Sequence, residues 1–228
     1  MPDILTLYHG SSGIIETPEF GNGNPRNDYG FGFYCTENIE LAKEWACFSR
    51  NGGFVNIYQI NTSNLSVLEL LPPAYNLVQW LAILVNNRIF DVSSPIASEA
   101  RDYITEHFLP DINIYDTIKG YRADDSYFTF AADFLSNTIS LKQLGRAMTF
   151  GSLGEQFVIK SQKAFTLLEY LKNEPVDGKV YFDKRQRRDK DAREQYLKRE
   201  RNSARSSDDI FMIDIIREEM KCDDPRLQ

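Results

Sequence analysis

The order of strand-like and helix-like segments constrains the fold of this chain more than any other feature. Apolar or aromatic runs at 4–9 and 31–36 predict strands, and the spacing of apolar residues at 37–49 predicts a helix. Further strands are expected at 54–60 and within 151–161, with mostly helical sequence between them. Strands and helices that are grouped in this way indicate an α+β fold and not a repeating βαβ fold.

The remaining segments are predicted as helices, turns and a charged tail. Helices are expected at 74–86, 97–108, 140–148 and 207–220, the last capped by Ser207 or Asp208, and a turn is expected around Gly120. The composition changes after Pro175, and residues 179–205 hold 11 Lys or Arg with acids interspersed. We therefore expect a domain at 1–175 and a charged helical C-terminal extension at 176–228.

The composition excludes several classes of protein. A net charge of −7 argues against a generally cationic nucleic-acid coat. The three cysteines show no paired spacing, which favours reduced thiols and a cytoplasmic location, and two distant histidines make a structural zinc site improbable. The sequence contains neither an apolar run long enough for a membrane helix nor a signal peptide, so no membrane association is expected.

Common catalytic motifs are also missing from the sequence. There is no phosphate-binding loop of the G-x-x-x-x-G-K-[ST] type and no G-x-S-x-G nucleophile turn. The glycine-rich stretch around 21–32 neither follows a long strand nor opens a helix, which excludes the dinucleotide-binding motif of α/β folds. What remains is a scattered set of polar and aromatic residues.

That set could be ordinary core aromatics and turn residues, but its order along the chain resembles a known family. The segments YHGS at 8–11, GFGFYCT at 30–36 and EQFVIKS at 155–161 carry the likeness. They resemble the three motifs of the ADP-ribosyltransferase superfamily, in the His-Tyr-Glu branch that includes diphtheria toxin and the poly(ADP-ribose) polymerases, and especially its small bacterial domains. The resemblance implies split, bent antiparallel β-sheets that hold NAD, with inserted helices.

The resemblance also implies a role for each motif residue, with NAD as a substrate. His9 would donate a hydrogen bond to a ribose hydroxyl, and Tyr34 would stack on the nicotinamide ring. The cofactor-binding set would comprise His9, Gly10, Ser11, Gly32, Tyr34 and Trp45. Within it, Gly10 would let the backbone approach the nicotinamide amide, Ser11 would bind that amide, and Trp45 would cover the other face of the ring. No metal is implied.

The third motif leaves two candidates for the catalytic position beside His9 and Tyr34. Aligning the apolar run of the motif with the family's strand places Gln156 there, one residue beyond Glu155. Adjacent strand residues point to opposite faces, so only one of the two can face the ribose. If Gln156 does, Asp124 or Asp125 could supply a carboxylate.

The resemblance implies a mono-ADP-ribosyltransferase that releases nicotinamide, acting as a bacterial toxin or phage-defence effector. The acceptor would be RNA, DNA or a protein, and an antitoxin or immunity protein would be the partner. Two alternatives are a catalytically degenerate module that binds NAD or ADP-ribose, and an NAD glycohydrolase on the same fold. The basic stretch at 184–205 could track phosphates, or form a solvated face of mixed charge.

Overall fold

A computed structural model describes residues 4–70, 75–90, 94–123, 125–150, 154–204 and 206–227, except the side chains of residues 125 and 126. The fold is α+β, as the order of the segments predicts. Its strands are β1 Ile4–Ser11, β2 Phe33–Cys35, β3 Gly53–Asn61, β4 Val67–Leu70, β5 Thr117–Tyr121, β6 Glu155–Ile159 and β7 Leu168–Val176. Its helices are α1 Ile39–Ala46, α2 Leu77–Asn87, α3 Pro95–His107, α4 Asp125–Leu135, α5 Leu141–Ala147, α6 Gln162–Thr166, α7 Gly178–Tyr196 and α8 Met212–Arg217.

The chain divides into two compact units that alternate along the sequence. The first unit comprises Met1–Glu69, Asp111–Arg122 and Gly154–Arg188, and the second comprises Leu70–Pro110, Ala123–Leu153 and Asp189–Gln228. The domain boundary predicted at residue 175 lies inside the first unit, at the end of β7. The last boundary between the two units lies within α7.

The first unit contains two sheets that enclose an apolar core. One sheet has the strand order β1-β3-β7 and the other the order β2-β6-β5-β4, and the β1–β3, β3–β7, β2–β6 and β5–β6 pairs are antiparallel. The core between them includes Leu5, Leu7 and Ile60 from the first sheet and Cys35, Phe157 and Ile159 from the second. Alternate residues of each strand point into this core, so the residues between them point to the opposite face of their sheet.

Helix α1 covers the other face of the first sheet. Asn38 caps the helix, because its side chain accepts hydrogen bonds from the backbone N–H groups of Glu40 and Leu41. A β-carbon added at Gly10 would lie 2.6 Å from the Ala46 nitrogen and closer still to the Ala42 carbonyl oxygen. The absence of a side chain at Gly10 therefore lets α1 pack directly on β1.

The second unit is helical, and capping boxes begin two of its helices. Asn76 forms a capping box with Gln79 at the start of α2, and Ser140 forms one with Gln143 at the start of α5. Trp80 of α2 is a buried core residue. Across the described part of the chain, no helix is both long enough and apolar enough to cross a membrane.

Three local predictions are wrong. Gly120 lies in β5 opposite Gln156 instead of in a turn, because the ladder with β6 extends through it. Helix α8 begins at Met212 and spans six residues, since Asp214 accepts a hydrogen bond from the Phe211 N–H and starts the helix there. The helix predicted at 37–49 ends at Ala46, so Phe48 lies beyond the helix end and is 69% exposed.

The contact between Gly10 and α1 generates a stability prediction. We expect Gly10→Ala to lower the free energy of unfolding by about 2 kcal/mol, because backbone atoms of α1 must move to admit the methyl group. Gly13→Ala is the matched control, since nothing lies within 4 Å of its added β-carbon. Urea unfolding of both variants checks this, and equal stabilities would contradict the close packing.

Candidate functional site

The candidate site lies where β1 and β2 separate. Tyr8 and Thr36 exchange two backbone hydrogen bonds, of 2.8 and 2.9 Å, and beyond this bridge each strand pairs only within its own sheet. The His9 side chain enters the gap, where its Nδ1 lies 2.7 Å from the Tyr34 carbonyl oxygen and its ring stacks on Phe33 at 4.3 Å. A side chain thus connects the two strands where the backbone ladder stops.

The protonation of His9 follows from its surroundings. Burial lowers the pKa of His9 and outweighs the hydrogen bond to Tyr34, which acts in the opposite direction. The ring is therefore neutral at pH 7, and its proton lies on Nδ1 because a carbonyl oxygen can only accept. Nε2 is then an acceptor. A ribose hydroxyl would donate to His9, the reverse of the direction that the resemblance implies.

Gly10 presents backbone groups to the same gap. The N–H and C=O of Tyr8 point towards β2, and in a strand the backbone groups two residues further on point the same way. The peptide groups of Gly10 therefore face the separation between the sheets. Beside it, the Ser11 hydroxyl donates to the Gly13 carbonyl oxygen at 2.6 Å and accepts from Asn56 at 2.9 Å.

Tyr34 and Gly32 lie on the other side of the gap. The Tyr34 hydroxyl donates to the Gly30 carbonyl oxygen at 2.6 Å and accepts from the Tyr29 N–H at 3.0 Å, which fixes the ring against the preceding loop. A β-carbon at Gly32 would lie 2.6 Å from Val158 Cγ1, so β2 can meet β6 closely only with glycine there.

A cavity of about 630 Å³, which we call the His9 cleft, is lined by His9, Gly32 and Tyr34 but not by Gly10 or Ser11. Its lining comprises His9, Gly32, Phe33 and Tyr34 with residues 14–19, 22, 23 and 27 of the intervening loop. Trp45 is not part of this lining. Its indole is buried on α1, and the Arg122 guanidinium lies 4.8 Å from the ring centroid, over one face.

The register of β6 separates the two candidates of the third motif. Tyr34 pairs with Val158, and residues paired across a ladder or two apart along a strand share a face, so Gln156 lies on the face of Tyr34. Glu155 lies on the opposite face, with Phe157. Both line a second cavity of about 360 Å³ at the start of β6.

Gln156 and Glu155 also have different electrostatic partners. Gln156 is buried, and its Nε2 donates to the Asp28 carboxylate at 2.7 Å. Glu155 is partly exposed, and its carboxylate lies 3.3 Å from the Lys119 ammonium, which also binds Glu37 at 2.8 Å. The Gln156 amide is therefore hydrogen-bonded to a buried carboxylate, whereas the Glu155 carboxylate forms an ion pair with a lysine.

Sequence reasoning did not identify Asp28 or Lys119. Asp28 is one of many polar residues in a loop rich in Gly and Asn, and no spacing distinguishes it. Of the two proposed substitutes for a missing carboxylate, Asp124 lies outside the described residues, and so does the side chain of Asp125. Among the described residues, no group of three or more His, Cys, Asp or Glu could hold a metal ion.

The basic residues of α7 are interleaved with acids. Lys184 binds Glu40 at 2.9 Å, Arg193 binds Asp189 at 3.0 Å, and Lys190 lies 3.8 Å from Glu194. Pairs of this kind reduce the field that a phosphate would meet. The geometry therefore favours a solvated helix of mixed charge over a phosphate track.

A family model with the description "Protein of unknown function (DUF3990)" matches residues 5–170, which run from the second residue of β1 through β6 and include the His9 cleft. No curated protein and no solved structure matches the chain.

The environment of His9 predicts its titration. We expect its ring to titrate with a pKa below 6.5, because burial disfavours the charged form. At pH values between 6.5 and the lowered pKa, His9 is protonated in the unfolded chain but not in the folded chain. The free energy of unfolding therefore falls as the pH falls. NMR of the imidazole protons measures the pKa. His107→Gln removes the only other histidine and assigns the signal, and a pKa of 6.5 or above would contradict the burial.

Proposed function

The chain belongs to the family described as protein of unknown function (DUF3990), a description that assigns no activity, and from the geometry of the His9 cleft we propose that its first unit is an NAD-dependent mono-ADP-ribosyltransferase. The observation that carries the proposal is the meeting of His9 with the Tyr34 carbonyl where β1 and β2 separate. This separation leaves room for a ligand between two rigid sheets. The split, bent sheets of the proposed family fold would produce this separation of β1 from β2.

The groups around the gap fit the nicotinamide riboside half of NAD. The Gly10 peptide offers a donor and an acceptor, as a carboxamide requires, and the Tyr34 ring is held by two hydrogen bonds at its hydroxyl. The neutral His9 supplies an acceptor for a ribose hydroxyl. The His9 cleft, at about 630 Å³, lies within the usual range of ~300–1,000 Å³ for small-molecule sites.

The proposed reaction breaks the bond between nicotinamide and the ribose carbon C1′. Nicotinamide leaves with the bonding electrons, a nucleophilic atom of the acceptor bonds to C1′, and that atom loses its proton. Positive charge develops on the ribose in the transition state, so a negative potential nearby lowers the barrier. In this proposal Asp28 supplies the potential through Gln156, whose amide its carboxylate polarises.

A second candidate function is a binding module that holds NAD or ADP-ribose without consuming it. The observation that favours it is the placement of the uncharged Gln156, and not Glu155, on the face of Tyr34. An amide stabilises developing positive charge less than a carboxylate does. The cytoplasmic location and the antitoxin or immunity partner stay predictions from the sequence.

One assay separates these functions. The full chain is incubated with NAD labelled in its adenylate half, and nicotinamide release and transfer to RNA, DNA and protein are scored. We expect release and transfer, and a loss of about 100-fold in both for His9→Ala, the size of effect seen when a group that stabilises a transition state is removed. His107→Ala is the control and should keep full activity.

The other outcomes each decide against the transferase or against the His9 cleft as its site. Release without transfer would establish a glycohydrolase, and binding without release would establish the module. Neither binding nor release by a folded protein would refute the assignment of the His9 cleft, and so would full activity in His9→Ala.

The register of β6 generates a separate prediction. We expect Gln156→Ala to lower nicotinamide release at least about tenfold, equivalent to ~1.4 kcal/mol of transition-state stabilisation, because it removes the link between Asp28 and the site. Glu155→Ala should change it less than about threefold. Rates are normalised to the folded fraction from circular dichroism, since Gln156 is buried. The reverse order of effects would show that Glu155 faces the ribose.

A further inference from the structure

A third cavity adjoins the His9 cleft, and its lining is mostly aromatic and amide side chains. It has a volume of about 450 Å³ and shares Glu19, Asn22 and Gly32 with the cleft. We call it the aromatic pocket, because Phe20, Phe31, Tyr115 and Phe165 contribute rings to its lining. Neither the family match nor the proposed chemistry assigns it a ligand.

The rings of the aromatic pocket are partly open to solvent. Phe20 and Phe31 are 52% and 51% exposed. Exposed rings that converge on a cavity, instead of being scattered over a surface, are typical of a binding site for an apolar or planar group.

Ring contacts connect the pocket to His9. The Phe20 ring meets Phe165 edge to face at 5.6 Å, and Phe165 lies 6.4 Å from Phe33, which stacks on His9. A group bound on Phe165 or Phe20 is thus only a few ring contacts from the proposed reaction site. That distance suits a nucleic-acid strand in which one nucleotide binds the aromatic pocket and the neighbouring nucleotide, which reacts, enters the His9 cleft.

The polar lining suits the edges of a nucleobase. The side-chain amides of Asn22, Asn113 and Gln162 each offer both donors and acceptors, as base edges do. Lys160 contributes an ammonium that donates to the Tyr29 carbonyl oxygen at 2.7 Å, and Glu19 contributes a carboxylate. With one cation and one anion, the lining has no net charge, so stacking and hydrogen bonds must dominate binding.

The origin of the lining argues against an extended peptide. Peptides in extended form bind mainly by pairing with the open edge of a sheet. The aromatic pocket is instead formed by loop residues, by the residues just before β2 and β5, and by the segment from Lys160 into α6, with no residue from inside a strand. It offers side chains and no strand edge.

We propose that the aromatic pocket binds an unpaired nucleobase of a single-stranded nucleic acid. The flat rings stack on the base, and the amides contact its edge. The strand continues into the His9 cleft as the acceptor of ADP-ribose. This last step rests on the proposed transferase function, whereas the binding of the base does not.

Fluorescence anisotropy of the full chain with a labelled 12-nucleotide single strand, in the absence of NAD, tests the proposal. RNA and DNA strands of the same sequence are compared with each other and with the duplex. We expect the single strand to bind more tightly than the duplex. Phe31→Ala should weaken binding about 5- to 100-fold, the range for loss of one stacked base, and Phe31→Tyr should retain it.

Phe48→Ala is the matched control, because Phe48 is 69% exposed in the same unit but does not line the pocket. It should bind as the wild type does. The affinity should also depend weakly on salt, since the pocket has no net charge, unlike binding to the basic residues of α7.

Four outcomes would overturn the proposal. They are no binding of the single strand, equal binding of the duplex, unchanged binding in Phe31→Ala, and displacement of the strand by NAD together with weaker NAD binding in Phe31→Ala. The last would assign the pocket to the adenine of NAD. If strand binding depends on Phe31 but the protein consumes no NAD, the nucleobase site is supported. Only the transferase function and the role of the strand as acceptor are then refuted.

Discussion

The hydrogen bond between His9 and the Tyr34 carbonyl oxygen is the interaction on which the candidate site depends. Two strands joined by the Tyr8–Thr36 bridge separate at this point, and a divergence of this kind leaves backbone groups without ladder partners. His9 satisfies one of them with its side chain, and its stacking on Phe33 holds the ring in the gap. The cost of burying the imidazole appears as its lowered pKa. The same bond fixes the tautomer, and therefore the chemistry that Nε2 can perform.

The position of β1 depends in turn on helix α1 and on the chain beyond the family match. Gly10 allows α1 to touch β1, and the buried carboxylate of Glu44 on α1 lies 2.5 Å from Arg188 and 3.8 Å from Lys184 of α7. Removing one partner of a buried ion pair leaves an uncompensated charge. This destabilises the fold by more than the intact ion pair stabilises it. The first turns of α7 therefore belong energetically to the site-bearing unit, although the family model ends at residue 170.

Much of the fold was predictable because its signals are local. The apolar pattern of β3 and the capping residue Ser140 act over a few residues, and both elements occur where the sequence places them. Gly120 was mispredicted because its strand conformation is imposed by pairing with Gln156 of β6, 36 residues further along the chain. The site follows the same rule. His9, Tyr34 and the ambiguity at 155–156 were readable from motifs, whereas Asp28 became visible only when folding placed it against Gln156.

The two faces of β6 differ so much in charge that one residue of register would decide the proposed chemistry. On one face, Glu155 shares its charge with Lys119, and a carboxylate so paired attracts a developing cation less than a free one does. On the other face, Gln156 is neutral but backed by Asp28 in a buried setting, where the lower dielectric makes a charge act over a longer distance. In the proposed reaction, the Asp28 carboxylate behind Gln156 would therefore stabilise an oxocarbenium-like transition state more than Glu155, whose charge is paired with Lys119. In the proposed site the ribose would face the Gln156 amide, whose donors and acceptors could bind a hydroxyl without competing for its proton.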